Sequence, residues 1–448
     1  MQSLLVRRSA LLAASVLGVA SLALAQITVG PPGSGASYQQ ISAAVAAAPL
    51  GAKIFVQGGT YEPFVVSQSI SIVRVGPAPC VISWPPGSTA AAIEVTQLPI
   101  GQTVRLSGLS LDPVSNSSAP RIHLHQCAGR VELLGVVSLP QSVSASNVDE
   151  AVLLVENCSA VLLQSCVLHG SWPPQQAQWQ RASSGLEIHN SRVWCNACSI
   201  RGGHGWEGYG GDAIVALASS TVHLSRTAAI GGRGGAHFGF VWWDIYGYPG
   251  EEGIDLDNSE AVIAGGPDNL VEGGEGVLLS AIDWTAGGAA VRVRDNGTVR
   301  YAADVVLVPG LDGTGLTTMP AVLAVAPGAT EVAEAAIRTT LALYPSAATP
   351  GQLLGISSAG NASATHAVFV AFAGIDPVML PNVQSLHILP ASAALVALTT
   401  LDATGLGSTP VQVPAVAALA GLELILQSVD VNLSTLRLSN PALLTIGQ

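Results

Sequence analysis

Asp255 and Asp257 are separated by a single residue in the run Ile254-Asp255-Leu256-Asp257. If that run is a strand, side chains alternate, and both carboxylates share one face about 6–7 Å apart. Two carboxylates so placed suit glycoside hydrolysis, one as acid and the other as base or nucleophile. With Glu251 or Glu252 they equally suit calcium, which takes carboxylate oxygens. A third reading needs no ligand. Arg292 and Arg294 repeat the spacing one unit later, so acids and arginines could form a cross-strand charge ladder. His204, in Gly203-His204-Gly205, is a candidate catalytic group or a plain loop residue. Cys195-Asn196-Ala197-Cys198 has the CxxC spacing of metal or redox sites. The repeat argues against that: Cys198 aligns with Cys166, and Cys158 with Cys127 and Ser191. These are stacked interior positions or a disulfide, and no metal site is expected.

The elements that position these residues come from a recurring unit. Val155-Glu156-Asn157-Cys158-Ser159-Ala160-Val161 returns as Ile188-His189-Asn190-Ser191-Arg192-Val193, and again at 217–222, 256–262 and 293–299. Each copy is an apolar position, a small polar turn and a β-branched strand. Most copies run on to a third strand ending in a glycine pair, as at Gly202-Gly203, Gly231-Gly232 and Gly273-Gly274. A period of about 20–40 residues signals a solenoid whose repeats cannot bury their apolar faces alone. With β-type repeats, that solenoid is a parallel β-helix. Asn157, Asn190 and Asn258 share the turn position and predict an internal asparagine ladder.

The repeat is interrupted at one recurrent place, after the glycine pair, over about 172–184, 204–211, 236–252 and 275–288. Stacked coils would send these insertions out on one side. Trp172, Trp179, Trp206, Trp242, Trp243 and Trp284 lie in them, with Tyr209, His237, Phe238, Tyr246 and Tyr248. Flat rings on loops stack well on sugar faces, so Trp172, Trp179, Trp206, Tyr209, Trp242, Trp243, Tyr246 and Trp284 are the expected ligand-binding residues. The competing reading is that the loops fold on one another and the rings form a satellite core.

Ser37-Tyr38-Gln39-Gln40 reads as a capping box opening a short amphipathic helix through Ala48, ended by Pro49 and Gly51. Lys53-Ile54-Phe55-Val56 is then a strand, and Gly59-Thr60-Tyr61 a turn. A helix there would cover the raw edge of the first coil. This entry, over about 27–76, resembles that of the pectin-lyase-like superfamily. The resemblance implies a right-handed parallel β-helix and selects no activity. Gly203-His204-Gly205 is similar to a polygalacturonase motif, but the Asn-Thr-Asp and Asp-Asp segments of that family are missing, as is the pectinesterase pattern. A pectate lyase would need a basic residue beside calcium-binding carboxylates. Arg201, Arg226 and Arg233 are available, and no motif marks one.

Residues 1–25 read as a secretory signal: Arg7 and Arg8, an apolar run from Ala10 to Leu24, and a small-residue cleavage site. Without those two arginines the balance is 15 basic against 29 acidic residues, a net charge of −14. That makes nucleic acid and anionic lipid poor partners, and a polyuronate would be repelled unless cations bridged it. No later segment reads as a membrane span. The expected organisation is all-β: signal 1–25, β-helix 26–311, and a β-sandwich-like module 312–448 that resembles C-terminal modules of secreted bacterial proteins. The expected role is an exported or cell-surface monomer that binds a polysaccharide or surface glycan through its aromatic insertions. The alternatives are a polysaccharide lyase or glycoside hydrolase in the same groove, and a purely structural surface protein. No cofactor is expected, calcium being the one ion the acids would suit.

Overall fold

A computed structural model describes residues 26–446, apart from 85–88, 113–118, 140–150, 173–180, 239–244, 265–268, 281–282, 303–304, 315–321, 335–339, 345–346, 360–362, 373–392, 404–405, 417–421, 432–436 and 440–441. The expected signal segment 1–25 lies outside the described residues. Each repeat forms one coil of three short strands, and equivalent strands of successive coils pair in parallel. Among the described residues this makes three parallel sheets of eleven, nine and nine strands. We call them sheets one, two and three. One coil runs Leu186–His189 in sheet two, Arg192–Asn196 in sheet one and Ser199–Arg201 in sheet three. The next begins at Ile214–Leu217 in sheet two. The fold is the parallel β-helix that the repeat predicts, and parallel crossovers of this kind are right-handed.

Register explains the apolar spacing. Ile54, Ile72, Leu106, Leu133, Leu163, Cys195, Leu224 and Ile263 are successive partners in sheet one, and all point into the bore. Burying each such side chain contributes about 1.5–3 kcal/mol. The six cysteines are buried and none is disulfide-bonded. Cys158 N–H donates to Ser191 Oγ, Ser191 N–H to Ser220 Oγ, and Ser220 N–H to Ser259 Oγ, so these residues stack as one interior column. The asparagine ladder is external instead. Asn157, Asn190 and Asn258 adopt φ of 54°, 46° and 46°, a conformation asparagine tolerates. Asn190 Nδ2 donates to Asn157 Oδ1 at the exposed rim (2.9 Å). The residue after the left-handed turn points inward, so serine, not asparagine, fills the interior.

The N-terminal helix spans Ile41–Ala47 and buries Ile41, Ala44 and Val45. Its capping box does not form. Gln40 is the N-cap and makes no side-chain cap; its Oε1 accepts from Glu62 N–H (3.0 Å), and Ser37 bonds to Thr28. The side chains are drawn to neighbouring strands, which compete with the local cap.

Coils continue past residue 311. Leu323–Val325 joins sheet two and Thr330–Glu334 joins sheet one. Beyond them, two mainly antiparallel sheets share a core of Leu354, Ile356, Val368, Leu426 and Leu444. This sandwich packs on the outer face of sheet one, where Ala371 and Ile425 meet Leu134, Ala160, Leu162 and Trp194. Trp194 also stacks on His223 (5.6 Å, 7°). Among the described residues no helix is long and apolar enough to cross a membrane.

Candidate functional site

The insertions leave from sheet three and return to sheet two, as the glycine pairs predict. Their necks are sewn together by one chain of backbone hydrogen bonds that alternates between outgoing and returning arms. Gly203 N–H donates to Ser183 O, Gly211 to Gly203, Gly232 to Gly211, Glu251 to Gly232, Gly274 to Glu251, Gly288 to Gly274 and Gly310 to Gly288, all at 2.7–3.1 Å. The arms lie too close for side chains. A Cβ on Gly232 would fall 1.8 Å from Gly203 O, and one on Gly202 would fall 1.7 Å from Gly211 O. Glycine is used here for close approach, not for its dihedral freedom.

Charged residues converge where returning arms enter sheet two. Asp212 lies two residues before Ile214–Leu217, and Glu251 and Glu252 precede Ile254–Asp257. Asp212, Glu251 and Glu252 each place an oxygen within 4.8 Å of the others. Arg181, from the preceding insertion, bridges Asp212 (2.5 Å) and Glu251 (2.9 Å). Glu252 N–H donates to Asp212 Oδ1 (2.9 Å), and Arg292 reaches Glu252 (3.1 Å). Asp255 accepts two guanidinium forks, from Arg292 (3.1 and 2.8 Å) and Arg294 (3.2 and 2.7 Å). The carboxylates are sealed: the Asp212 side chain is 0% exposed and Glu251 and Glu252 11% each, whereas Arg181 is 40% exposed.

Burial sets the electrostatics. It pushes Asp212 up to about 7, with Arg181 opposing and Glu252 and Asp255 adding to the rise. Burial likewise raises Glu252 to about 7, against Arg292 and with Glu251. Glu251 is raised by burial and by Asp212. Although burial works against its charge, Arg292 is held protonated more firmly by Asp255 and Glu252. Four carboxylates and three guanidinium groups therefore share one site, and the surplus acid is accommodated by retained protons. A hard cation would find three oxygens here, but Arg181 and Arg292 already supply the positive charge against them.

The residues singled out by sequence are distributed as follows. Asp255 is buried beneath the two arginine forks. Asp257 is half-buried and registers with Arg294, without joining the cluster. His204 is apart from both: its Nδ1 accepts from Arg233 N–H (3.0 Å) and its ring lies 5.6 Å from Trp172. Burial lowers its pKa, helped by Arg233 and Arg201. Trp172, Trp206 and Tyr209 are exposed by 36%, 48% and 41%. Tyr209 meets the buried Tyr248 edge-on (4.9 Å). Trp179, Trp242 and Trp243 lie outside the described residues. Tyr246 and Trp284 belong to the short hairpins 236–247 and 278–284, and their side chains are outside the description. Sequence reasoning missed Asp212 and Arg181. Asp212 had a signal, since it stands two residues before a sheet-two strand just as Glu252 does. Arg181 had none, being contributed across insertions of unequal length.

No protein-family model matches the chain, and no curated protein matches it. Among solved structures, the A-module of a mannuronan C-5 epimerase from Azotobacter vinelandii is similar to it at 11% identity and a TM-score of 0.26, covering 66% of this chain and 83% of that one.

Proposed function

We propose that the insertion side of the β-helix binds a polysaccharide or surface glycan outside the cell. The observation that supports this is that exposed Trp172, Trp206 and Tyr209 stand on insertions whose necks are locked together, and that the same insertions carry a partly exposed Arg181 held by two carboxylates. Rings offer sugar faces a flat apolar surface, and a pre-oriented guanidinium offers hydroxyl or carboxylate oxygens two donors. Pre-organisation spares the cost of ordering loops on binding.

A second reading makes the same site catalytic, as a lyase or hydrolase. Paired carboxylates with raised pKa values are the feature that favours it, since such groups exchange protons near neutrality. Their burial beneath Arg181 weighs against it, because a substrate atom must come within hydrogen-bond reach.

A polysaccharide array with the exported form, with and without calcium, separates the readings. Retention that falls at least about tenfold on Trp206→Ala or Arg181→Ala, without products, fits a binder whose anchors each contribute more than about 1.4 kcal/mol. Product release abolished by Glu252→Gln would replace the binder with an enzyme. No retention on any glycan would sink both.

A further inference from the structure

The outgoing ends of sheet three, at the bases of the same insertions, carry a second constellation that shares no residue with the Asp212 cluster. Strands Val167–His169, Ser199–Arg201, Ala228–Ile230 and Leu270–Glu272 pair in parallel, so His169, Arg201, Ile230 and Glu272 succeed one another at the strand ends. A second row follows three residues further on. Gly205 N–H donates to Arg233 O (2.8 Å) and Gly234 N–H to Glu275 O (2.9 Å), which continues the parallel register through His204, Arg233 and Glu275. Trp172 stands ahead of this row, its ring 5.6 Å from that of His204. Neighbours in such rows are one coil apart, about 4.8 Å.

Arg201, His204 and Arg233 are exposed. Arg105, Arg130, Arg181, Arg292, Arg294 and Arg300 all pair with carboxylates, as expected of a chain with 17 basic and 29 acidic residues. Among the described residues, the Arg201 and Arg233 guanidinium groups make no ion pair and no hydrogen bond. His204 Nδ1 accepts from Arg233 N–H (3.0 Å), so the ring proton sits on Nε2. Burial, then Arg233 and Arg201, lower the His204 pKa against Glu275, and the ring is neutral at pH 7. His169 is kept neutral in the same way, by burial and then Arg201 and His204, with its Nε2 3.2 Å from Ser199 Oγ. The groups offered beside Trp172 are therefore two guanidinium forks and one imidazole N–H, and all of them donate.

We propose that Arg201, His204 and Arg233 bind the oxyanion of an acidic sugar, a carboxylate or a sulfate ester, with the sugar ring against Trp172. This rests on the glycan reading above and narrows it to charged glycans. Guanidinium groups take either oxyanion through paired N–H donors, at about twice the strength of neutral hydrogen bonds. The acidic chain repels a polyanion at long range, but that repulsion is screened beyond about 10 Å at 0.1 M salt. At contact the two uncompensated cations decide the sign. Glu272 and Glu275, one coil on from Ile230 and Arg233, bound the site and repel a second charge there, so the row accommodates one acidic sugar.

The test is titration calorimetry of the full chain with three oligosaccharides, an oligogalacturonate, a sulfated galactan and a neutral galactan, at low and high salt. The expected result is that an acidic ligand binds at least about tenfold more tightly than the neutral one and loses that advantage as salt rises. Which acidic ligand binds identifies the oxyanion. Arg201→Gln and Arg233→Gln should each weaken acidic binding by about tenfold or more and leave neutral binding unchanged. Arg201→Lys keeps the charge without the fork and should recover part of the loss. Arg192→Gln, at an exposed arginine of sheet one, should change nothing. Acidic and neutral ligands bound equally well would overturn the proposal while the glycan reading stands. So would acidic binding indifferent to both Arg201→Gln and Arg233→Gln, or an equal loss on Arg192→Gln. Retention of neutral glycans alone on the array removes this proposal only, and retention of none removes the glycan reading with it.

Discussion

Asp212 concentrates the chemistry of the insertion side. Its folded-state pKa of about 7 lies above the ordinary carboxylate value because burial disfavours its charge. The folded protein therefore retains a proton that the unfolded chain gives up near pH 4, and by linkage the stability falls as pH rises from about 4 to about 7, then levels off. Glu252 acts in the same sense. Glu132 acts in the opposite one: although burial alone would raise it, Arg130 and Arg105 hold it low. The Asp212 contribution is therefore best read as a difference. In thermal melts across pH 4–8, Asp212→Asn should flatten the decline relative to the parent chain. A variant whose melting temperature tracks the parent across the whole range would contradict the assigned protonation. The same residue shows what sequence could and could not reveal. Asp255 and Asp257 stood out through their spacing, yet Asp255 is occupied by two arginines and the acids with raised pKa values, Asp212, Glu251 and Glu252, lie in the returning arms. Register along the solenoid was legible; contacts between insertions of unequal length were not.

At the scale of the element, the decisive pieces are the glycine necks. The glycine pairs were visible as the end of each third strand, and they marked the insertions correctly. Their physical role became apparent only with the arms in place, because the close approach is between coils distant in sequence. Gly232→Ala would drive a methyl group to 1.8 Å from the Gly203 carbonyl, a backbone atom that cannot swing aside. Overpacking of this kind costs about 1–3 kcal/mol or more. Amide exchange should accelerate across 203–211 and 251, the partners of the broken bonds, while strands of sheet one stay protected. Uniform protection in that variant would show that the necks do not depend on the ladder. The N-terminal helix teaches the complementary lesson. Its position and buried face were legible from the apolar spacing, whereas its cap was not, since Gln40 finds Glu62 across the fold.

At the scale of the molecule, the repeat specified the solenoid, and alternation within each strand specified which side chains fill the bore. The docking of the C-terminal sandwich was not readable, because the outward residues Leu162 and Trp194 look like any other strand positions until a partner covers them. Trp194→Ala should cost about 3–5 kcal/mol at that contact, lower the first unfolding transition, and expose the C-terminal module to protease before the coils are cut. Unaltered proteolysis would mean that the two parts are held by other contacts. The zigzag through the necks has a consequence for how such a chain can diversify. Every bond in it joins main-chain atoms at the base of the loops, and none uses a side chain. Loop tips of other lengths and compositions can be exchanged onto the same rack, and recognition of new ligands can evolve there while the coils beneath stay unchanged.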